Sequence, residues 1–247
     1  MPTSVKTETG SGATPRLRAL PSFEGDHTRL AAHEIRSHLA VLGGYLSMLE
    51  DGTIKDVPEN MRPVVTEMRG KTRSIAQIVD DMLEDARHED GNLHLSRKSA
   101  DLGEIVQLAA AEAKVTLPNR HELIVKVPPG PVEANVDPAR VRTILRNLLD
   151  NAVKYSPDGG RIECRLQRDE GRAVITVSDE GIGIRAQDSE EVFTRFGRGR
   201  GEAEAIQGVG LGLYICRTLA RLHGGDIAVA SRPGRGSEFV VTLPLAD

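Results

Sequence analysis

The sequence predicts a chain in two parts: an α-helical hairpin, then an α+β two-layer sandwich with one sheet and helices on one face. Three observations predict this. Early apolar residues recur at alternating spacings of four and three: Ile35, Leu39, Leu42, Leu46 and Leu49, then Met61, Val65, Met68, Thr72, Ile75, Val79, Met82 and Ala86. The later sequence mixes strand-like and helix-like runs without strict β-α-β alternation. Between the two, His88 to Lys98 changes character around Asp90-Gly91-Asn92, which marks the boundary.

Composition bounds the rest. A length of 247 residues suits about two domains. Aromatics make up 3% with no Trp, so the cores must be built from Leu, Val, Ile and Ala. A net charge of −4 gives no general attraction to nucleic acid or to an anionic membrane. Cys164 and Cys216 lie far apart with no metal-ligand spacing and read as reduced, buried thiols. No apolar run reaches the about 18 residues of a membrane span, and no secretory signal pattern appears. A cytoplasmic location is therefore expected. Residues 1–25 are rich in Gly, Pro, Ser and Thr and read as a flexible tail.

The elements follow in order. A first helix starts near Asp26, a plausible N-cap, and stops at Asp51-Gly52. A second follows Asn60, with Pro63 tolerated in its first turn. One hairpin covers only one seam, so pairing with a second copy into a four-helix bundle is expected for residues 26–90. The domain over 91–247 is expected to contain a strand at Leu93–Lys98, a helix at Asp101–Val115 and strands at Leu123–Val127 and Val132–Val136. A long helix, Pro138–Tyr155, comes next. Strands at Arg161–Gln167 and Ala173–Ser178 precede a Gly-rich stretch, then a helix from Leu211 to His223. Strands Ile227–Ser231 and Glu238–Leu243 close the chain, the last stopped by Pro244.

The long helix carries chemistry. Asn147, Asn151, Lys154 and Tyr155 fall in a sector of roughly 100°. Two amides and an ammonium in one stripe suit a polyanion with a metal: an amide oxygen can ligate Mg²⁺, and Lys154 can neutralise phosphate. A solvated amphipathic face accounts for the same stripe equally well. The strand "VITVSDEGIGI" ends in Asp179, which can accept from an exocyclic amine, followed by Gly181 and Gly183, which let backbone approach a flat ring. Gly208, Gly210 and Gly212 then lead into a helix whose N-terminus favours phosphate. The pattern is neither a Walker A motif nor a Rossmann fingerprint.

In this order the motifs resemble the catalytic core of two-component sensor histidine kinases. "HEIRSHL" is similar to that family's phosphoacceptor box and "NLLDNAVKYS" to its asparagine box. "DEGIG", "VFTRFGRG", "GVGLGL" and "GSEF" are similar to its remaining nucleotide-side segments. The resemblance implies a Bergerat ATP-binding fold, with ATP and Mg²⁺ as cofactors and a response-regulator receiver domain as partner. By resemblance, Asn151 is the metal ligand and Asn147 and Lys154 stand beside the phosphates, with Tyr155 beside the nucleoside. Asp179 holds the adenine amine, with Ser237 close by, and Arg198 reaches the γ-phosphate. Residues from Gly197 to Gln207 form the lid.

The resemblance also makes His33 the phosphorylated residue. Its helical position points away from the seam, beside Arg36, Ser37, Ala40 and Gly44. A neutral imidazole is a competent nucleophile near pH 7. Glu34 is expected to orient the ring and take its proton, and Ser37 stands where relatives place a water for phosphatase activity. One departure concerns the fifth residue after His33: the family commonly has Pro there, and this chain has His38, a second acceptor ranked below the first. Two rival readings remain. A gyrase-like ATPase needs a Glu four residues before its metal Asn, and Asn147 stands there. A degenerate dimeric scaffold that only binds a receiver is the other.

Overall fold

The computed structural model of the chain describes residues 24–55, 58–66, 68–70, 72, 75–76, 79, 95–197 and 210–246, with side chains described from residue 35 onward. The expected tail up to residue 23, the domain boundary around Asp90, and Met82 and Ala86 of the seam lie outside the described residues; Glu24 and Gly25, expected in the tail, belong to the first helix.

Helix α1 spans Glu24–Glu50, so Asp26 lies inside it rather than capping it. It stops where expected, and Asp51 Oδ1 accepts from Thr53 N at 2.9 Å in the turn that follows. After a short 3-10 turn at Glu59–Met61 the chain is helical at residues 62–66 and 68–70, and again at 72, 75, 76 and 79; this second helix is α2. The two run antiparallel. Thr66 Oγ1 donates to Glu50 Oε1 at 3.2 Å, Arg69 pairs with Glu50 at 2.5 Å, and far along the hairpin Leu39 packs with Ala76 and Val79.

The seam divides between two surroundings. Leu39, Leu46, Val65 and Val79 are buried within the hairpin. Ile35, Leu42, Met61, Met68 and Ile75 remain 44–49% exposed. A 4-3 repeat places alternate seam residues on slightly different azimuths, so one antiparallel partner covers only every second one.

The second part forms a separate core. Strands β1 (Lys98–Asp101) and β3 (Glu133–Val136) make a two-stranded antiparallel sheet. The main sheet has the order β2 (His121–Lys126), β4 (Gly160–Asp169), β5 (Arg172–Asp179), β7 (Ser237–Pro244), β6 (Asp226–Ser231). Its β2–β4 pair is parallel and the rest are antiparallel. Helices α3 (Leu102–Thr116), α4 (Pro138–Lys154) and α5 (Gly212–Leu222) cover one face. Alternation decides which face: Ile162, Cys164 and Leu166 of β4, and Ile175 and Val177 of β5, point into the core beneath Val106, Ile144, Leu148 and Leu219.

The predicted α+β sandwich is therefore correct, with two corrections. The first strand lies at Lys98–Asp101, not Leu93–Lys98, because it pairs with Glu133–Val136 in a second small sheet that local alternation does not reveal. Tyr155 and His223 cap their helices rather than belonging to them, and Leu211 stands at the N-cap. The β4–β5 hairpin turns on Glu170-Gly171, both at positive φ, as a two-residue hairpin requires. On the helix-free face Glu163 is held at a pKa of about 2, chiefly by Lys126, then by Arg165, with Arg161 adding to them. That cluster lies on the open side of the sheet.

Candidate functional site

Helix α4 begins at a strong cap. Asp137 Oδ1 accepts from Ala139 N and Arg140 N, and Pro138 occupies the first position, where its missing N–H costs nothing. Its polar stripe ends at the C-terminus. Asn147 is 6% exposed and its Nδ2 donates to Thr143 O at 3.2 Å, so it lies deeper than a solvated face would put it. Asn151 is half-buried, with its amide on the stripe. Lys154 Nζ lies 4.9 Å from the centre of the Tyr155 ring and 3.5 Å from its hydroxyl.

Tyr155 joins the end of α4 to the loop after the next strand, β5: its carbonyl accepts from Ile182 N at 3.0 Å. A Cβ on Gly181 would lie 2.1 Å from that carbonyl and 2.8 Å from Asp179 Oδ1. Gly183, at φ +71, would put a Cβ 2.1 Å from Arg232 O. The two glycines are thus required by the chain's own backbone, where the sequence reading had a flat ring approaching.

Asp179 is 9% exposed at the end of β5. Burial pushes its carboxyl up to about 6, against hydrogen bonds from Gly181 N and Ser237 N that favour the ionised form. The Ser237 link is direct, from its backbone N–H at 3.3 Å, while its Oγ contacts Ser231 Oγ at 3.0 Å. Sequence reasoning missed two neighbours. A Cβ on Gly236 would lie 1.8 Å from Asp179 O, and Ser156 Oγ is buried 2.7 Å from where a Gly181 Cβ would be. "GSEF" contained the first signal; nothing local marks Ser156.

The shifted Asp179 gives a testable pH dependence. Its folded pKa lies above the ordinary 3.8, so the cost of ionising it is absent below about 4, grows between about 4 and about 6, and is constant above that. The site thus withholds about 3 kcal/mol of stability above that point to keep a buried carboxylate charged. A ligand that donates to the carboxylate recovers part of that cost. Adenine-nucleotide affinity is expected to fall as pH drops from 7 through 6. The Asp179→Asn variant, which cannot ionise, should lack that step in a calorimetric titration; identical profiles contradict the assignment.

Gly210 and Gly212 lead into α5. Gly210 lies at φ +77, where a Cβ would come 2.7 Å from Gly197 O, so the two ends of the intervening segment abut. Gly212 opens α5, and the cap residue Leu211 supplies no side-chain hydrogen bond to the helix N-terminus. Arg217 stacks 5.0 Å from the Phe193 ring and pairs with Glu190 and Asp226, fixing the approach to that segment. Arg198, Gly208 and the stretch from Gly197 to Gln207 expected to form a lid fall outside the described residues, apart from Gly197 itself.

On α1 the backbone of His33 and Glu34 is helical, but their side chains lie outside the described residues. Arg36, Ser37, Ala40 and Gly44, which share that azimuth, are all exposed, as is His38.

Residues 24–91 match the His Kinase A (phospho-acceptor) domain, and residues 136–247 match the family described as histidine kinase-, DNA gyrase B-, and HSP90-like ATPase. This pairing of a phosphoacceptor hairpin with a nucleotide-binding sandwich defines a histidine kinase core. The chain belongs to the sensor histidine kinase family. It is 32% identical to the adaptive-response sensory kinase SasA of Thermosynechococcus vestitus over 93% of its own length and 62% of that protein's. It is 35% identical to the probable sensor histidine kinase TcrY of Mycobacterium tuberculosis, over 87% and 44% respectively. The chain thus spans less than two thirds of the length of these relatives. Among solved structures it resembles full-length ShkA in complex with AMPPNP, with TM-score 0.66 and 27% identity, covering 90% of this chain and 46% of that one. It also resembles the mycobacterial sensor histidine kinase MprB, with TM-score 0.52 and 32% identity, covering 60% of this chain and 97% of that one.

Proposed function

We propose that this chain is an ATP-dependent, autophosphorylating protein-histidine kinase. In this reading it passes phosphate from His33 to an aspartate of a response-regulator receiver domain. The observation that carries the reading is the buried Asp179 carboxylate, fixed by Gly181 N and Ser237 N and bonded through the glycine loop to the end of α4. A negatively charged, dry acceptor at a strand end fits the exocyclic amine of adenine. The polar stripe of α4 and the N-terminus of α5 then fit the triphosphate. The AMPPNP held by ShkA supports the same ligand here.

The resemblance to histidine kinases supplies the roles: Asn147 and Lys154 stand beside the phosphates, Tyr155 beside the nucleoside, the glycines 208, 210 and 212 at the phosphates, and Arg198 reaches the γ-phosphate. Asn151 would supply an amide oxygen to Mg²⁺, a hard cation that suits oxygen ligands. When bound, the metal neutralises charge on the phosphates. One nitrogen of the His33 imidazole attacks the γ-phosphorus, the bond to the β-phosphate oxygen breaks and ADP leaves. Glu34 takes the proton from the other ring nitrogen. The phosphoryl group then passes to the receiver's carboxylate; in the phosphatase reaction Ser37 would aim a water at that acyl phosphate, which breaks to carboxylate and inorganic phosphate. Incubation with Mg-ATP should label the chain with acid-labile, base-stable phosphate; ATP hydrolysis without labelling favours the gyrase-like reading instead.

The division into a hairpin at 26–90 and an ATP-binding domain at 91–247 belongs to the same proposal, supported by the two separate cores. So does the homodimer. The exposed half of the seam has the spacing of a helix interface, and a second hairpin offers the matching half. Sedimentation should give twice the 26.7 kDa chain mass. Leu42→Glu, at a position 46% exposed, should yield monomers with an unchanged far-UV spectrum; a dimer that survives it places the interface elsewhere. No described helix is long and apolar enough to cross a membrane.

A further inference from the structure

The chain enters the sandwich at residues 95–97, and three elements are bonded together at that point. Ser96 N donates to Asp137 Oδ2 at 2.9 Å. The other oxygen, Oδ1, caps α4 through Ala139 N at 3.0 Å and Arg140 N at 3.2 Å. The backbone N–H of Asp137 donates to His223 Nε2 at 3.0 Å, and His223 Nδ1 donates to Leu219 O at 2.8 Å. The Arg97 guanidinium donates to Leu222 O. Asp137 is 7% exposed and His223 2%. His223 can accept at one nitrogen and donate at the other only as a neutral ring, and its burial favours that form.

The same two helices carry the nucleotide-side residues at their far ends. Helix α4 runs from Asp137 to Asn151, Lys154 and Tyr155. Helix α5 runs the other way, from Gly210 and Leu211 to Leu222 and His223. Each is a stiff rod, and α4 is about 25 Å long at 1.5 Å per residue. The incoming chain is therefore pinned to the opposite ends of the two helices that line the proposed site.

We infer that Asp137 is a positioning residue for phosphoryl transfer: by holding Ser96 while capping α4, it fixes where the hairpin's chain leaves the ATP-binding domain. Asp137 lies at the end of α4 opposite Asn151, Lys154 and Tyr155. It sets the orientation in which the γ-phosphate meets His33, a geometry on which proximity-driven transfer depends steeply. This rests on the kinase reading proposed above.

Asp137→Asn separates the two jobs. Asn caps a helix about as well as Asp, so α4 is kept, but its NH2 group faces the Ser96 N–H and that bond is lost. Ser96→Pro removes the same donor without touching Asp137. In the full chain, both variants should slow His33 phosphorylation at least about tenfold, while affinity for a non-hydrolysable ATP analogue stays within about twofold. A parallel fall in affinity and rate marks an ordinary stabilising role and overturns the inference; so does an unchanged rate. Amide exchange at Ser96 is read in the same samples. It should be slow in the unaltered chain and fast in Asp137→Asn, and fast exchange in the unaltered chain refutes the pin whatever the labelling shows. An unaltered chain that takes no phosphate at all overturns the kinase reading, and the inference with it.

Discussion

His33→Ala is expected to remove all acid-labile phosphate from the chain while leaving ATP-analogue binding intact. Position 33 lies on α1 of the hairpin, and the residues that would hold nucleotide lie on α4, β5 and the approach to α5, so the substitution removes none of them. Arg36, Ser37, Ala40 and Gly44, which share its azimuth, are exposed. The dimer should persist, because the exposed seam residues are on another azimuth. His38 is also exposed and is a second imidazole on α1 that could take over. Label that survives in His33→Ala and disappears in the double variant with His38→Ala would move the acceptor by five positions. Gln at position 33 should behave as Ala does, since it keeps size and polarity but has no nucleophilic ring nitrogen.

The second large effect is expected at Asn151. Asn151→Ala should lower Mg-ATP-dependent labelling by at least about 10²-fold, equivalent to about 2.7 kcal/mol of transition-state stabilisation. Asn151 is half-buried and lies outside the apolar core, so the substitution should shift the thermal midpoint little. A lost metal ligand has a further signature: the variant's remaining activity should need more Mg²⁺ to saturate, whereas a merely loosened helix would lower activity at every Mg²⁺ concentration alike. Asn151→Asp should retain part of the activity, because a carboxylate also ligates the cation. Equal Mg²⁺ dependence in all three proteins would remove Asn151 from the metal site.

Much of this architecture was legible because it is written in local periods. The 4-3 spacing from Ile35 to Val79 predicted both helices, and the structure shows the same residues divided between an inner seam and an outer one. The strands of the main sheet were found within one to three residues, because alternation such as Ile162, Cys164, Leu166 survives into the fold. Pairing was less legible. The β1–β3 sheet joins residues more than thirty positions apart, and no local pattern moved the first strand from Leu93 to Lys98. Asp26 has the residue type of a cap, but the helix passes through it.

The site shows the same division. Asp179 and the glycines around it were picked out by motif, and the structure gives those glycines a different physical reason. They make room for Tyr155 O and Arg232 O. Ser156 and Gly236 become neighbours of Asp179 only when α4, β5 and β7 converge. The tie between Ser96, Asp137 and His223 spans most of the domain's sequence, so only the folded chain exposes it.

The central claim is that one domain delivers the γ-phosphate of ATP to a single imidazole on the hairpin. Site-resolved mapping of phosphate on the unaltered full chain after incubation with Mg-ATP tests it most directly. One base-stable, acid-labile phosphate on His33 is the predicted result. Phosphate on a hydroxyl or carboxylate residue, or ATP consumed with none on the chain, would contradict it.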